Sequence, residues 1–294
     1  MKRILFVINP ASGNTDKSGL KNTISEAAKT HGFDYHVFET TGKNDQQKIK
    51  SFLKQHKPEA VFVAGGDGTV NLTGELLTGS KIPLGIIPMG SANGLASELN
   101  IPPNPEQAIE VLLKGNYENR DSLLINDHVK SFHLSDLGMN ARIIKRFEKE
   151  GIRGWFGYFK QFYKEFRNIQ KFRCTIKTES GQVSHKALMV VLATGFQYGT
   201  GAIVNSTGKP DDGKFEIILI KPYRSKFFFK MAIAFFMRKL HKMENVIVLS
   251  ATEADIEVKP AQDLQVDGEL QKKTEQVKVR LIPGDLLMIR GSNP

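Results

Sequence analysis

Cysteine is nearly absent from this 294-residue sequence: Cys174 stands alone, so no disulfide can form within the chain. Long apolar runs are absent too; none reaches the ~18 residues that a membrane-crossing helix needs. Met1-Lys2-Arg3 is followed by only five apolar residues, too few for a signal peptide's hydrophobic region, and the expected location is cytoplasmic. Internal repeats and low-complexity segments are missing. His133, His185 and His241 are scattered without metal-ligand spacing, which leaves them core or surface roles. Acidic residues are in deficit: 31 Asp and Glu face 41 Lys and Arg, a net charge of +10. That balance favours a polyanionic partner, be it nucleic acid, an anionic membrane surface or a phosphorylated substrate. No recognised nucleic-acid motif accompanies the charge, so nucleic acid ranks last. With 40% hydrophobic and 24% charged residues the composition is ordinary for a globular protein, and the length suffices for two domains.

The stretch with most information is Val61-Phe62-Val63-Ala64-Gly65-Gly66-Asp67-Gly68-Thr69-Val70-Asn71. Its apolar start reads as a buried parallel strand, and Gly65, Gly66 and Gly68 free the next backbone to turn its N–H groups toward a ligand. A helix from about Thr69 would aim its N-terminal amides at the same point, an arrangement that suits phosphate. Asp67 would repel phosphate unless Mg²⁺ or a proton in transfer lies between them. The plainer reading of the loop is a glycine-rich turn with a capping Asp.

In chain order, strand 3–8 ends at Asn9-Pro10-Ala11-Ser12-Gly13-Asn14, and a helix is expected from about Ser18 to His31. Strand 35–41 ends in two threonines, helix 45–56 is polar, and strand 84–87 ends at Pro88-Met89-Gly90-Ser91-Ala92-Asn93-Gly94. Alternating strands and helices, each strand ending in Gly, Asn, Ser or Thr, predict a parallel right-handed βαβ series with its ligand crevice at the strand ends. Helix 106–113 and Asp121 close this part. From about 123 short strands predominate, over 123–125, 129–138, 172–178, 184–194, 215–221, 246–250, 254–258, 263–266 and 276–289, which predicts an antiparallel sandwich or barrel. The expected domains are 1–122 and 123–294.

Gly65-Gly66-Asp67-Gly68-Thr69, with Asn9-Pro10-x-Ser12-Gly13 before it and Pro88-x-Gly90-Ser91-x-Asn93 after it, resembles the diacylglycerol kinase catalytic-domain family, related to sphingosine and ceramide kinases. The likeness runs on through Asn100-Ile101-Pro102, Asp211-Asp212-Gly213 and Val266-Asp267-Gly268-Glu269, nearly the whole chain. NAD kinases and 6-phosphofructokinases carry a string similar to the first alone; the second and the late Asp-Gly-Glu favour lipid kinases. The resemblance implies a Rossmann-like α/β domain followed by an antiparallel β-sandwich, with ATP in the cleft between them. Asn9, Pro10, Ser12, Gly13, Thr41, Gly65, Gly66, Asp67, Gly68, Thr69, Asn71 and Ser91 would line the ATP site. Glu269 would act as catalytic base, Asp267 would support it, and Asp67 would position metal and phosphate. On the residues alone Asp267-Gly268-Glu269 is an ordinary hairpin turn.

The resemblance also implies a structural Mg²⁺ at Asp212, where a solvated Asp-Gly turn is an equal reading, and places Asp121 in a charge network reaching Asp67. Two positions depart from the family: Gly94 stands where an Asp is usual, and Leu72 where a Glu is usual. Residues 142–173 hold ten Lys and Arg against three Glu among aromatics, and residues 221–242 hold seven Lys and Arg with no acid. Such segments suit contact with an anionic membrane, or helices packed on the β domain with a solvated basic face. The function this implies is an ATP- and Mg²⁺-dependent kinase of a membrane lipid alcohol, diacylglycerol first, then a sphingoid base, ceramide, phosphatidylglycerol or other lipid alcohol. A non-catalytic lipid- or nucleotide-binding regulator and an NAD kinase are the other readings. An exposed strand edge in the β domain would allow a homodimer.

Overall fold

The computed structural model describes residues 2–13, 19–90, 93–138, 141, 170–196, 203–205, 208, 212–222 and 239–292. Both basic aromatic segments fall largely outside these residues, as does Ser91. The chain divides into two compact units, Met1–Arg120 with Gly284–Pro294, and Asp121–Pro283. The last residues, expected in the second domain, therefore belong to the first.

The first unit holds β1 (Arg3–Ile8), α1 (Leu20–His31), β2 (Asp34–Glu39), α2 (Asp45–His56), β3 (Ala60–Gly65), α3 (Asp67–Leu77), β4 (Leu84–Pro88), α4 (Gly94–Glu98) and α5 (Pro105–Lys114). Its strands run parallel in the order β2-β1-β3-β4. Every residue of β3 and β4 is buried, because helices cover both faces of a parallel sheet, whereas edge strand β2 alternates. Right-handed crossovers in this order put α1 on one face and α2 and α3 on the other; accordingly α1 packs on α5 and α2 on α3. Helix α5 starts sharply because Asn104 caps it, its side chain accepting Gln107 N at 3.1 Å, with Pro105 in the first turn.

The chain then enters β5 (Asn116–Ile125), β6 (Val129–Ser131), β7 (Leu134–Gly138), β8 (Phe172–Thr178), β9 (Gly181–Ala187), β10 (Met189–Ala193), β11 (Phe215–Ile220), β12 (Val246–Ala251), β13 (Glu253–Gln262), β14 (Leu264–Val266), β15 (Glu269–Leu270) and β16 (Thr274–Arg290). The end of β16 returns to the first unit, where Met288 pairs in parallel with Leu84. In the second unit β16, β13, β8 and β9 form one antiparallel sheet, and β12-β11-β10-β7-β14-β15 another. Side chains of both meet in one core, including Leu137, Leu192, Phe215 and Ile217 from one sheet and Cys174, Ile176, Ile256 and Val277 from the other. Cys174 lies deep in that core, and burial pushes its thiol up to about 12, so it is no nucleophile. The second sheet is buried on its outer face as well, around Val191, Ile218 and Leu240, which explains why β10 is a continuous apolar run and β11 is apolar from Ile217 onward. The sandwich expected from sequence is therefore present. Strand 129–138 is, however, two strands broken at Phe132-His133, and strand 184–194 breaks at Leu188. Among the described residues no helix is long and apolar enough to cross a membrane.

Candidate active site

The parallel register brings the ends of β1, β3 and β4 level: Ile8 lies beside Ala64, and Gly65 beside Pro88. Three loops therefore leave the sheet side by side, and their short side chains knit them together. Asn9 Nδ2 donates to Thr69 Oγ1 at 3.0 Å, while its Oδ1 accepts Ala11 N at 3.0 Å. Ser12 Oγ bridges Asn9 O and Met89 O, at 3.0 and 3.4 Å. Gly13 takes φ +57°, and a Cβ there would lie 2.5 Å from Met89 O. Gly90 presses on the backbone of Gly66: a Cβ on Gly90 would stand 2.4 Å from Gly66 Cα. Asn93 locks that contact, its Oδ1 accepting Gly90 N and its Nδ2 donating to Gly90 O, both at 2.8 Å.

Helix α3 begins at Asp67, two residues earlier than expected, because Gly66 takes the extended N-cap conformation and Val70 N already bonds to Gly66 O. Asp67 thus occupies the first turn, half-buried, where the helix dipole favours a carboxylate. Gly68 is exposed and Asn71 half-buried in the first turns of α3. Asn9, Ser12, Gly13, Gly65, Gly66 and Thr69 lie together at these strand ends, and Pro10 is exposed.

Thr41 belongs to a neighbouring loop that depends on a residue the sequence reading missed. Asp45 accepts from Thr41 N, Thr41 Oγ1 and Gly42 N at 2.7–3.0 Å, and Lys48 Nζ reaches Thr41 Oγ1 at 3.1 Å. Burial pushes the Asp45 carboxyl up, but the Thr41 and Gly42 amides outweigh it and hold the group below its ordinary value. Because the folded-state pKa is depressed, the stabilisation is complete above the ordinary aspartate value of about 3.9 and is lost as pH falls through the lower folded-state value. Asp45→Ala is expected to cost about 1–2 kcal/mol at pH 7, where up to three hydrogen bonds of roughly 1 kcal/mol each are given up to water. Calorimetry should find the gap to wild type shrinking once pH drops below about 4.

In the second unit Val266 pairs with Glu269 across a two-residue turn, Asp267 at φ 47° and Gly268 at φ 91°. Both angles suit a type I′ hairpin, so the ordinary-turn reading is correct as geometry. The turn is also anchored. Asp267 Oδ1 accepts Ser131 Oγ, Leu134 N and His133 N at 2.8, 2.9 and 3.1 Å, and Oδ2 accepts Phe132 N at 2.7 Å. These bonds turn the 131–134 backbone toward Asp267, which is why β6 and β7 are separate strands. Burial pushes the Asp267 carboxyl up, against the pull of the Phe132 amide and the nearby His133. Glu269, by contrast, is exposed at the start of β15. The two carboxylates of one motif are thus sorted, one inward as an anchor and one outward.

The Asp212–Gly213 turn is held by protein groups: Lys214 N donates to Asp212 Oδ1 at 3.1 Å, and Gly213 N to Asp121 Oδ2 at 3.0 Å. Asp121 therefore braces this turn. Among the described residues no group of three or more His, Cys, Asp or Glu is placed to hold a metal ion.

Comparison with known proteins agrees with this construction. The family model for the diacylglycerol kinase catalytic domain matches residues 3–125, and that for the YegS C-terminal NAD kinase beta sandwich-like domain matches residues 135–290. A Staphylococcus carnosus (strain TM300) relative, which its name places among lipid kinases, is 29% identical over 231 residues, covering 76% of this chain and 74% of its own. A "probable lipid kinase YegS-like" of Citrobacter koseri is 28% identical over 203 residues, 67% of each chain. In fold the chain is similar to the crystal structure of a diacylglycerol kinase from Bacillus anthracis str. Sterne, with TM-score 0.78, 23% identity, and 100% and 98% of the two chains covered. The chain belongs to the diacylglycerol kinase catalytic domain family and is an enzyme of the lipid-kinase class.

Proposed function

We propose that this enzyme transfers the γ-phosphate of ATP to the hydroxyl of a diacylglycerol, with Mg²⁺, at an anionic membrane surface. The observation that supports this reading most is the closure of three strand-end loops on one another through Gly13, Gly66 and Gly90, beside the N-terminus of α3. That arrangement sets strand-end backbone amides beside the positive end of a helix, a setting that suits phosphate oxygens.

The residues fit Mg²⁺ in the manner usual for kinases, held by one or two carboxylates and by the nucleotide phosphates rather than by a protein cage. Asp67 is the carboxylate for that role, and bound Mg²⁺ would supply neutralisation of phosphate charge. Glu269 accepts the proton of the lipid hydroxyl, and Asp267 holds the turn that presents it. The net positive charge and the basic aromatic segments support an anionic surface as the place where the lipid is met. Gly94 and Leu72, the departures from the family pattern, favour the regulator reading only if turnover is absent.

Gly90→Ala is expected to weaken Mg-ATP binding at least ~10-fold, because the added Cβ must displace the Gly66 backbone that shapes the phosphate loop. Titration calorimetry with a non-hydrolysable analogue measures it, and unchanged affinity would place the nucleotide elsewhere. Acceptor choice is read by ADP release with diacylglycerol, sphingosine, ceramide, phosphatidylglycerol or NAD. Selective stimulation by diacylglycerol supports the proposal; selective stimulation by another acceptor replaces the substrate.

A further inference from the structure

Behind the Glu269 turn lies a buried polar network that the proposed chemistry leaves unused. Gln265 is 1% exposed, and Ser131, Ser135 and Asp136 are 0% exposed. Burying such groups is unfavourable unless each is paired, so their pairing carries information. Ser135 Oγ donates to Ser131 Oγ at 2.9 Å, and Ser131 donates on to Asp267. Gln265 faces two ways: its Oε1 accepts Gly268 N at 2.6 Å, and its Nε2 donates to Asp136 Oδ2 at 2.5 Å and more weakly to Leu134 O at 3.4 Å. Asp136 Oδ1 accepts Ala141 N at 3.0 Å, which fixes that carboxylate in turn.

An acceptor-only carboxylate can face only the NH₂ end of the Gln265 amide. Asp136 therefore dictates that the Gln265 oxygen points at Gly268, the residue that joins the anchored Asp267 to Glu269. Asp267 fixes one end of the two-residue turn and Gln265 the other. The departure direction of the Glu269 side chain follows from both.

We propose that Gln265, oriented by Asp136, is a positioning residue for Glu269, and that it sets the aim of the base rather than touching the reactants. The inference rests on the reading of Glu269 as the base. Its test is kcat for phosphate transfer from Mg-ATP to dioctanoylglycerol in anionic micelles, in wild-type and Glu269→Gln backgrounds. Gln265→Ala should lower kcat about 10–100-fold, the cost of a misplacement near 1 Å, with KM for ATP within about twofold. In the Glu269→Gln background the same change should cost nothing further, since both act through one group.

Gln265→Glu alone sets two carboxylates face to face and should also lower kcat. Adding Asp136→Asn should restore most of it, because the amide introduced at position 136 can then donate to the carboxylate introduced at position 265, which still accepts from Gly268. Hydrogen exchange at Gly268 should be slow in wild type and in the double variant, and fast in Gln265→Ala. Equal losses in both backgrounds, or failure of the double variant to recover kcat, would overturn the proposal in favour of a role in stability alone. If Glu269→Gln is inactive and Gln265→Ala is not, this inference fails while the base assignment stands. Wild-type turnover in Glu269→Gln removes both.

Discussion

Replacing Glu269 by Gln is expected to lower kcat for lipid phosphorylation about 10²–10⁴-fold, the range over which a positioned general base contributes. The melting temperature should hardly move, because Glu269 is exposed at the start of a two-residue strand and Gln keeps its shape. Asp267→Asn should behave in the opposite sense. Its carboxylate accepts four hydrogen bonds in the interior, and an amide would turn an NH₂ group toward donors already aimed at it. A loss of about 1–3 kcal/mol in stability, seen by denaturant unfolding, should precede any clean change in rate. Two acids of one motif are thereby distinguished, one by kinetics and one by unfolding. An Asp267→Asn protein of normal stability and no activity would instead make Asp267 a group that touches the reactants.

The second large effect is expected at Arg120, the largest fully buried side chain among the described residues. Its guanidinium lies 2.5 Å from Glu98 and 3.1 Å from Glu118, and Arg290 approaches Glu118 from the other side at 3.4 Å. The Glu98 side chain is 4% exposed. Arg120→Met removes the buried cation that the Glu98 carboxylate faces, which should destabilise the protein by about 3–5 kcal/mol. Arg120 Nε lacks a hydrogen-bond partner among the described residues, so the pair is not ideally satisfied even in the native fold. The double variant Arg120→Met with Glu98→Met should therefore recover most of the loss, since well-packed apolar groups replace a buried ion pair at little cost. Chemical denaturation of the single and double variants reads both. A single variant within about 1 kcal/mol of wild type would mean that water or another protein group compensates the Glu98 charge.

How far the sequence could be read follows from which interactions are local. The glycines at 65, 66 and 68, beside an apolar run, declared a strand and a ligand loop because backbone freedom is written in residue type. The alternation of strand and helix declared the parallel sheet for the same reason. Asp45 carried a weaker local signal, an acid at a helix start, and its grip on Thr41 and Gly42 was missed. The anchor of Asp267 had no local signal at all, since its partners lie 133 to 136 residues away in sequence. That distant contact also splits the expected strand 129–138, whose apolar pattern continues across Phe132. The return of β16 to the first sheet was hidden similarly, because the partner of Met288 is Leu84. Gln265 and Asp136 lie in strands whose residue types say only that they face inward or outward.

Transfer of the ATP γ-phosphate to a lipid hydroxyl, with Glu269 as the proton acceptor, carries the whole functional reading. The most direct test uses ATP labelled at the γ-phosphate, with Mg²⁺ and diacylglycerol in anionic mixed micelles, followed by organic extraction. Label is expected in a single phosphorylated lipid with wild-type protein, and near background with Glu269→Gln. Label that stays wholly on the nucleotide, from protein that binds Mg-ATP, across diacylglycerol, sphingoid base, ceramide and phosphatidylglycerol alike, would contradict the account and leave a nucleotide-binding regulator in its place.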